Sequence, residues 1–185
     1  MLEDVITELR SSIDKSIEAL RRDLSKVRTG RAHAGMLDAI RVDYYGVPTP
    51  IAQMATISVP EPRLITIKPW EKNQAKVIDK AIRESDLGLN PQTDAELIRI
   101  PIPALTEDRR KEMVKLAKKQ GEEIKVAIRK HRRDANDMID ALDNDGEVSG
   151  DDADRARKKV EDVVGDGIKQ VDAVVAAKEK DILEV

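Results

Sequence analysis

Across the first 28 residues, Ile6, Leu9, Ile13, Ile17, Leu20, Leu24 and Val27 recur at intervals of three and four, with charged residues between them. An apolar stripe at that spacing predicts a helix with one buried face. The same rule returns from Leu105 onward at Met113, Ala117, Ile124, Ile128, Ala135, Met138 and Leu142, and again at Val160, Val164, Ile168, Val171, Val175 and Ile182. Three stripes predict three helices around one shared seam. Thr106 with Glu107 and Asp108 supplies an N-cap and an acidic first turn for the second helix, because acceptor oxygens and negative charge satisfy the open N–H groups there. The Asp/Gly/Ser run from Asp143 to Asp152 is the turn into the third. A helix of about 36 residues is about 54 Å long, so the bundle is expected to be a rod.

Between the first and second stripes the period changes to two. Ile40, Val42 and Tyr44 alternate, as do Ile57 and Val59, Ile65 and Ile67, and Ile98, Ile100 and Ile102, with Gly46, Pro48, Pro50, Pro60, Pro62 and Pro69 as punctuation. Such segments predict strands. One short helix interrupts them, with Ala75, Ile78, Ala81 and Ile82 on one face and Gly88 placed to end it. The expected fold class is therefore α+β: an elongated antiparallel three-helix bundle made of residues 1–30 and 105–185, with a small α/β domain, residues 31–104, inserted into it.

The stretch KVRTGRA, residues 26–32, lies where the first helix meets the insertion. Continued as a helix, it would carry Arg31 onto the face of Ile13 and Leu24, where a guanidinium is costly. The helix is expected to stop at Gly30, since glycine accepts the left-handed backbone that ends helices. Thr29-Gly30 then reads as a stop and a pivot, and as a C-cap without pivoting in the simpler alternative.

Charge adds a local signal to this scaffold. Charged residues make up 37% of the 185, but 33 Lys and Arg against 36 Asp and Glu leave a net charge of only −3, so the whole chain does not announce a polyanion partner. Residues 107–133, however, hold eleven basic against five acidic side chains. On a helical wheel Lys111, Lys115, Lys118, Lys125, Arg129, Arg132 and Arg133 fall within about a quarter-turn, away from the apolar stripe. A basic stripe on an exposed rod suits a phosphate backbone, and arginine adds bidentate donors. The alternative is a solvated face laced by Lys–Glu pairs such as Lys118 with Glu122. Little acid is expected opposite Arg129, Arg132 and Arg133 before Asp137. With no Phe and only Tyr44, Tyr45 and Trp70 as aromatics, structured RNA read by phosphate and shape fits better than a single-strand stacking platform. Residues 134–166 are acidic by contrast.

Other chemistry is excluded more readily. No cysteine is present, which removes disulfides, thiolate metal sites and a cysteine nucleophile. His33 and His131 show no spacing to a serine and aspartate that suggests a triad, and His131 is expected at the bundle edge. There is no phosphate-binding Gly-x-x-x-x-Gly-Lys loop. The DNDG run fails as a calcium loop, since Ala141 would fall at the first ligand position. No apolar run reaches the length of a membrane span, and Met-Leu-Glu-Asp is not a targeting sequence. A soluble protein without metal, cofactor or membrane partner is expected.

The motifs KVRTGRA (26–32), VDYYGVPTPI (42–51), ATISV (55–59), SDLGLNP (85–91), LTEDRRK (105–111) and RRDAND (132–137) occur in order and in register. Together they resemble the ribosome recycling factor family along the whole chain. The resemblance implies an L-shaped, transfer-RNA-like outline with a flexible two-stranded hinge. It implies a cytoplasmic, monomeric, non-enzymatic factor that binds large-subunit ribosomal RNA on the post-termination ribosome. With elongation factor G, which hydrolyses the GTP, such a factor separates the subunits and releases messenger and deacylated transfer RNA. Carried onto this chain, Arg129, Arg132 and Arg133 are the core of the RNA-binding face, with Arg28 and Arg31 adding to it; Thr29, Gly30, Ala104, Leu105 and Thr106 form the hinge. A general structured-RNA binder acting without a translocase is the alternative reading, and a hydrolase is a distant third. Ala34, Lys130-His131, Gly165 and Gly167 depart from the family pattern, and the two glycines are expected to cost the third helix about 1 kcal/mol each.

Overall fold

The computed structural model describes residues 1–184. The chain forms two compact units, Met1–Thr29 with Glu107–Glu184, and Gly30–Thr106.

The first unit is all helical: α1 (Leu2–Ser25), α3 (Glu107–Asn144) and α4 (Gly150–Leu183). Each stripe does turn inward. Ile6, Leu9, Ile13, Ile17, Leu20 and Leu24 of α1 share one core with Ala117, Ile128, Ala135 and Ile139 of α3 and Val160, Val164, Val171 and Ile182 of α4. Met138, expected in the stripe, is 47% exposed, and Ile139 is fully buried in its place. Two inward positions are glycines that let helices approach closely. A Cβ on Gly121 would stand 2.6 Å from Val175 Cγ2, and one on Gly167 would stand 2.8 Å from Ile13 Cγ2. Gly167 is thus a packing residue, contrary to its expected role as a plain cost; Gly165 faces open space, and there the expectation stands.

The turn between α3 and α4 closes both helices. Gly146, at φ +72°, donates to the Asp143 carbonyl at 3.1 Å and Glu147 N–H donates to Leu142 at 3.0 Å, the paired bonds of a left-handed glycine C-cap. Ser149 Oγ then accepts from Asp152 N–H at 3.1 Å as N-cap of α4.

α1 ends at Ser25, not at Gly30. Lys26 and Val27 donate to Asp23 and Leu24 carbonyls at 3.2 and 3.1 Å. This i to i−3 tightening carries Val27 into the core after the helix has ended, which is why apolar spacing alone overran it. Gly30 is buried and holds φ +76°, a conformation that a Cβ would strain.

The second unit contains a hairpin, β1 (Arg41–Tyr44) with β2 (Val47–Pro50), and an antiparallel sheet of β3 (Ala55–Glu61), β4 (Leu64–Pro69), β5 (Gln92–Asp94) and β6 (Leu97–Pro101) in the order β3-β4-β6-β5. The helix α2 (Ala75–Arg83) packs against β1, β5 and β6. Val42, Ile65, Ile67, Ile78, Ile82, Ile98 and Ile100 are buried together as a separate core. β2 and β5 lie outside the apolar alternation and exist through their partners. Gly88 does not end α2; the helix closes at Arg83, with Ser85 N–H on the Ile82 carbonyl at 3.2 Å. Gly88, at φ +64°, turns the later chain.

Candidate RNA-binding face

Each residue of a helix is set 100° from the last, so the neighbours of α3 sort its basic stripe into two groups. Toward α4 lie cations that are already matched. Lys118 Nζ is 3.3 Å from Glu179, Lys125 Nζ 2.5 Å from Asp172, and Arg132 3.6 Å from Glu161. Lys125 is only 17% exposed, and the hydrogen bonds it donates to Asp172 and then Glu122 push its ammonium pKa up, holding the charged form. The expectation that little acid faces the arginine cluster is therefore corrected at Arg132 alone, whose partner Glu161 comes from α4, which spacing within α3 does not reveal.

Away from both neighbours lie Lys115, Lys119, Arg129, Lys130 and Arg133. All five are exposed, and none has an ion-pair partner among the described residues. Val126, 61% exposed, sits among them. On the wheel these five fall within about 60° of Val126, opposite Ala117 and Ala135, which are buried. The strongest local field is thus rotated outward from the predicted stripe, and Lys119 and Lys130 join it. Arg132 is 46% exposed and its pair with Glu161 is wet on both sides, so such a pair yields readily to a phosphate.

Arg28, the other candidate arginine of this unit, does not join this cluster. Ile13 and Ile128 both flank Gly167, which fixes the level of α1 beside Arg129. From Ile13, α1 runs on to Ser25, about 18 Å, before exposed Arg28 is reached. Arg31 belongs to the other unit; it is half-buried and already engaged by a neighbour. His131 lies at the bundle edge, with Nε2 3.2 Å from Ser16 Oγ. Since Ser16 gives its own proton to the Ser12 carbonyl at 2.9 Å, its oxygen accepts from His131, a structural bond between α1 and α3. Among the described residues no group of His, Asp and Glu side chains is placed to hold a metal ion, and no helix is long and apolar enough to cross a membrane.

Comparison with known proteins gives the family. The family model for ribosome recycling factor matches residues 20–183. The chain belongs to the ribosome recycling factor family. It is 77% identical to the ribosome-recycling factor of Sorangium cellulosum (strain So ce56) over the whole of both chains. It is 55% identical to that of Anaeromyxobacter dehalogenans (strain 2CP-C), over 99% of this chain and 97% of the relative. The fold matches a solution structure of ribosome recycling factor with a TM-score of 0.78 and 38% identity, covering 100% of this chain and 98% of the other. It also matches, with a TM-score of 0.66, 39% identity and 99% of each chain, a Thermus thermophilus recycling factor described together with Escherichia coli elongation factor G on the post-termination complex. Members of this family are not enzymes.

Proposed function

We propose that the protein binds the post-termination ribosome in the cytoplasm as a monomer and, with elongation factor G and GTP, splits the subunits so that messenger and deacylated transfer RNA leave. The observation that carries this is the whole-length likeness to a recycling factor placed with elongation factor G on the post-termination complex. The bundle anchors on large-subunit RNA through Arg129 and Arg133, joined by Arg132 once Glu161 is displaced. Arg28 and Arg31 add contacts beyond that cluster. Thr29, Gly30, Ala104, Leu105 and Thr106 serve as the hinge; the chain crosses between its two units at Thr29–Gly30 and Thr106–Glu107, and the positive φ of Gly30 supports a pivot there.

Light scattering of post-termination ribosomes tests the reading. A fall is expected only when this protein, elongation factor G and GTP are all present, and it is expected to weaken with Arg129→Ala/Arg133→Ala. No fall with the unaltered protein would overturn the reading and favour a structured-RNA binder that needs no translocase.

A further inference from the structure

The small unit holds both of its chain connections at one place. β3 and β4 are joined by the two-residue turn Pro62-Arg63, with Glu61 opposite Leu64. The carbonyls of the two central residues of such a turn have no partner in the ladder. Here each is taken. Ala32 N–H donates to the Pro62 carbonyl at 2.7 Å, and Ile102 N–H donates to the Arg63 carbonyl at 2.8 Å. Ala32 follows the crossing into this unit at Thr29–Gly30, and Ile102 precedes the crossing out of it at Thr106–Glu107. One dipeptide therefore grips the chain where it enters and where it leaves.

The grip is built to be stiff. Pro62 sets φ at about −65° at the first central position of the turn, and Arg63 stays out of the left-handed region. Behind the turn, Leu64 pairs with Pro101, and fully buried Ile65 pairs with Ile100, so β6 delivers Ile102 to Arg63 in continuous register. Ile102 is itself part of the core of the unit, and Ala32 packs against that core.

On the bundle side the ordered chain resumes after a short span. Val27 is buried in the helical core, and α3 starts at Glu107. Between these residues and the gripped pair lie Arg28–Arg31 in one connector and Pro103–Thr106 in the other, four residues each. The hinge residues proposed above all fall inside these two spans. Because both connectors are short, equal in length and tied to adjacent carbonyls, neither can be drawn out without loading the other.

We propose that the Pro62-Arg63 turn is a positioning element of ribosome recycling, clamping Ala32 and Ile102 so that both connectors turn together when the small unit is moved. The proposal rests on the recycling reading. The covalent paths from the small unit to the bundle run through these two connectors. A clamp that slips frays the rim of the small unit and absorbs motion there; an intact one delivers that motion to the bundle.

Residual dipolar couplings of the full chain test the clamp, and ribosome splitting tests its use. The couplings of the Ala32 and Ile102 amides are expected to fit the alignment of β4 and β6, and misfit of either overturns the clamp. Replacing Ala32 or Ile102 singly by its α-hydroxy acid counterpart deletes the N–H and keeps the side chain. Each replacement is expected to slow splitting by elongation factor G and GTP about fivefold, the weight of one backbone hydrogen bond, with affinity for the post-termination ribosome held within about twofold. Ala32→Ser, which keeps the N–H, is expected to split at the parental rate. An unchanged rate in both ester variants overturns the positioning role, as does an equal loss in Ala32→Ser or a loss of affinity that matches the loss of rate. The couplings are read on the unaltered protein, so the clamp is decided even where an ester unfolds the small unit. No splitting by the unaltered protein overturns the recycling reading, and with it the use of the clamp, whereas misfit couplings overturn the clamp alone.

Discussion

Two glycines two residues apart in α4 should respond differently to alanine. At Gly165 a Cβ meets nothing within 4 Å, so Gly165→Ala keeps the helix-propensity gain of about 1 kcal/mol. At Gly167 the same gain is opposed by contact at 2.8 Å with Ile13 Cγ2, with Ile13 Cδ1 at 3.6 Å and Ile128 Cδ1 at 3.7 Å behind it. Cγ2 is the methyl on the branched carbon, and Ile13 is only 3% exposed within α1. A helical isoleucine has essentially one rotamer and so cannot swing aside. Overpacking of this kind costs about 1–3 kcal/mol, leaving Gly167→Ala between neutral and about 2 kcal/mol less stable. In a domain of this size 1 kcal/mol moves Tm by about 2–4 °C. Thermal unfolding followed by helical circular dichroism should therefore show Gly165→Ala melting above the parent and Gly167→Ala level with it or below. Ile13→Leu moves the branch one carbon outward and removes Cγ2, so the double variant should recover part of the loss through a favourable coupling. If Gly167→Ala raised Tm as much as Gly165→Ala, the close approach of α4 to α1 would be refuted.

Charge, capping and titration give further checks. Arg133→Ala should lower affinity for the large ribosomal subunit and flatten the plot of log affinity against log salt by about 0.7–0.9 for one lost phosphate contact. Lys118→Ala, whose charge Glu179 already balances, should leave that slope unchanged, and equal effects would refute the division of the stripe. Ser149→Ala should cost about 1 kcal/mol in urea unfolding through loss of the α4 N-cap; an unchanged midpoint would contradict the cap. The Tyr44 hydroxyl donates to Glu71, and that hydrogen bond raises its pKa above the ordinary 10.0. Because the folded value is the higher one, the stability contributed is fully present below the unfolded pKa and is lost as pH rises through the folded one. An ultraviolet titration should show a late phenol step that Tyr44→Phe abolishes; its persistence in Tyr44→Phe would assign it elsewhere.

What the sequence disclosed is what local periodicity encodes. The seven apolar positions of the first stripe, from Ile6 to Val27, are all buried, because a helix repeats its own face whatever it packs against. The strands with alternating isoleucines were legible for the same reason. β2 was not, since its Pro48 and Pro50 read as breaks, although on an edge strand they sit at positions that need no donor. β5, with three exposed polar residues, is held by its register with β6 and by Thr93 Oγ1 donating to Asp79 at 2.5 Å, neither of which spacing displays. The cation stripe was legible as a stripe, but its unpaired portion was not. Arg132 and Arg133 are adjacent in the chain and differ only in which of them turns toward Glu161, a fact that belongs to the packing of α3 on α4.

On the proposed reading, in which the bundle is the RNA-binding unit, that packing has a consequence for the contact. Glu161, Asp172 and Glu179 face Arg132, Lys125 and Lys118 in turn along the α3–α4 boundary. The exposed pairs among them, Arg132–Glu161 and Lys118–Glu179, add little stability. Their larger effect is on the field: they cancel the cations nearest α4 and leave Lys115, Lys119, Arg129, Lys130 and Arg133 as a narrow outward ridge. A broad basic surface binds any polyanion, with affinity that grows with each phosphate it neutralises. A narrow one gains affinity only where RNA phosphates line up along the helix, so the acids of α4 favour shape over total charge. This is consistent with a chain whose net charge is only −3, because long-range attraction is kept small while contact-range attraction is confined to one ridge.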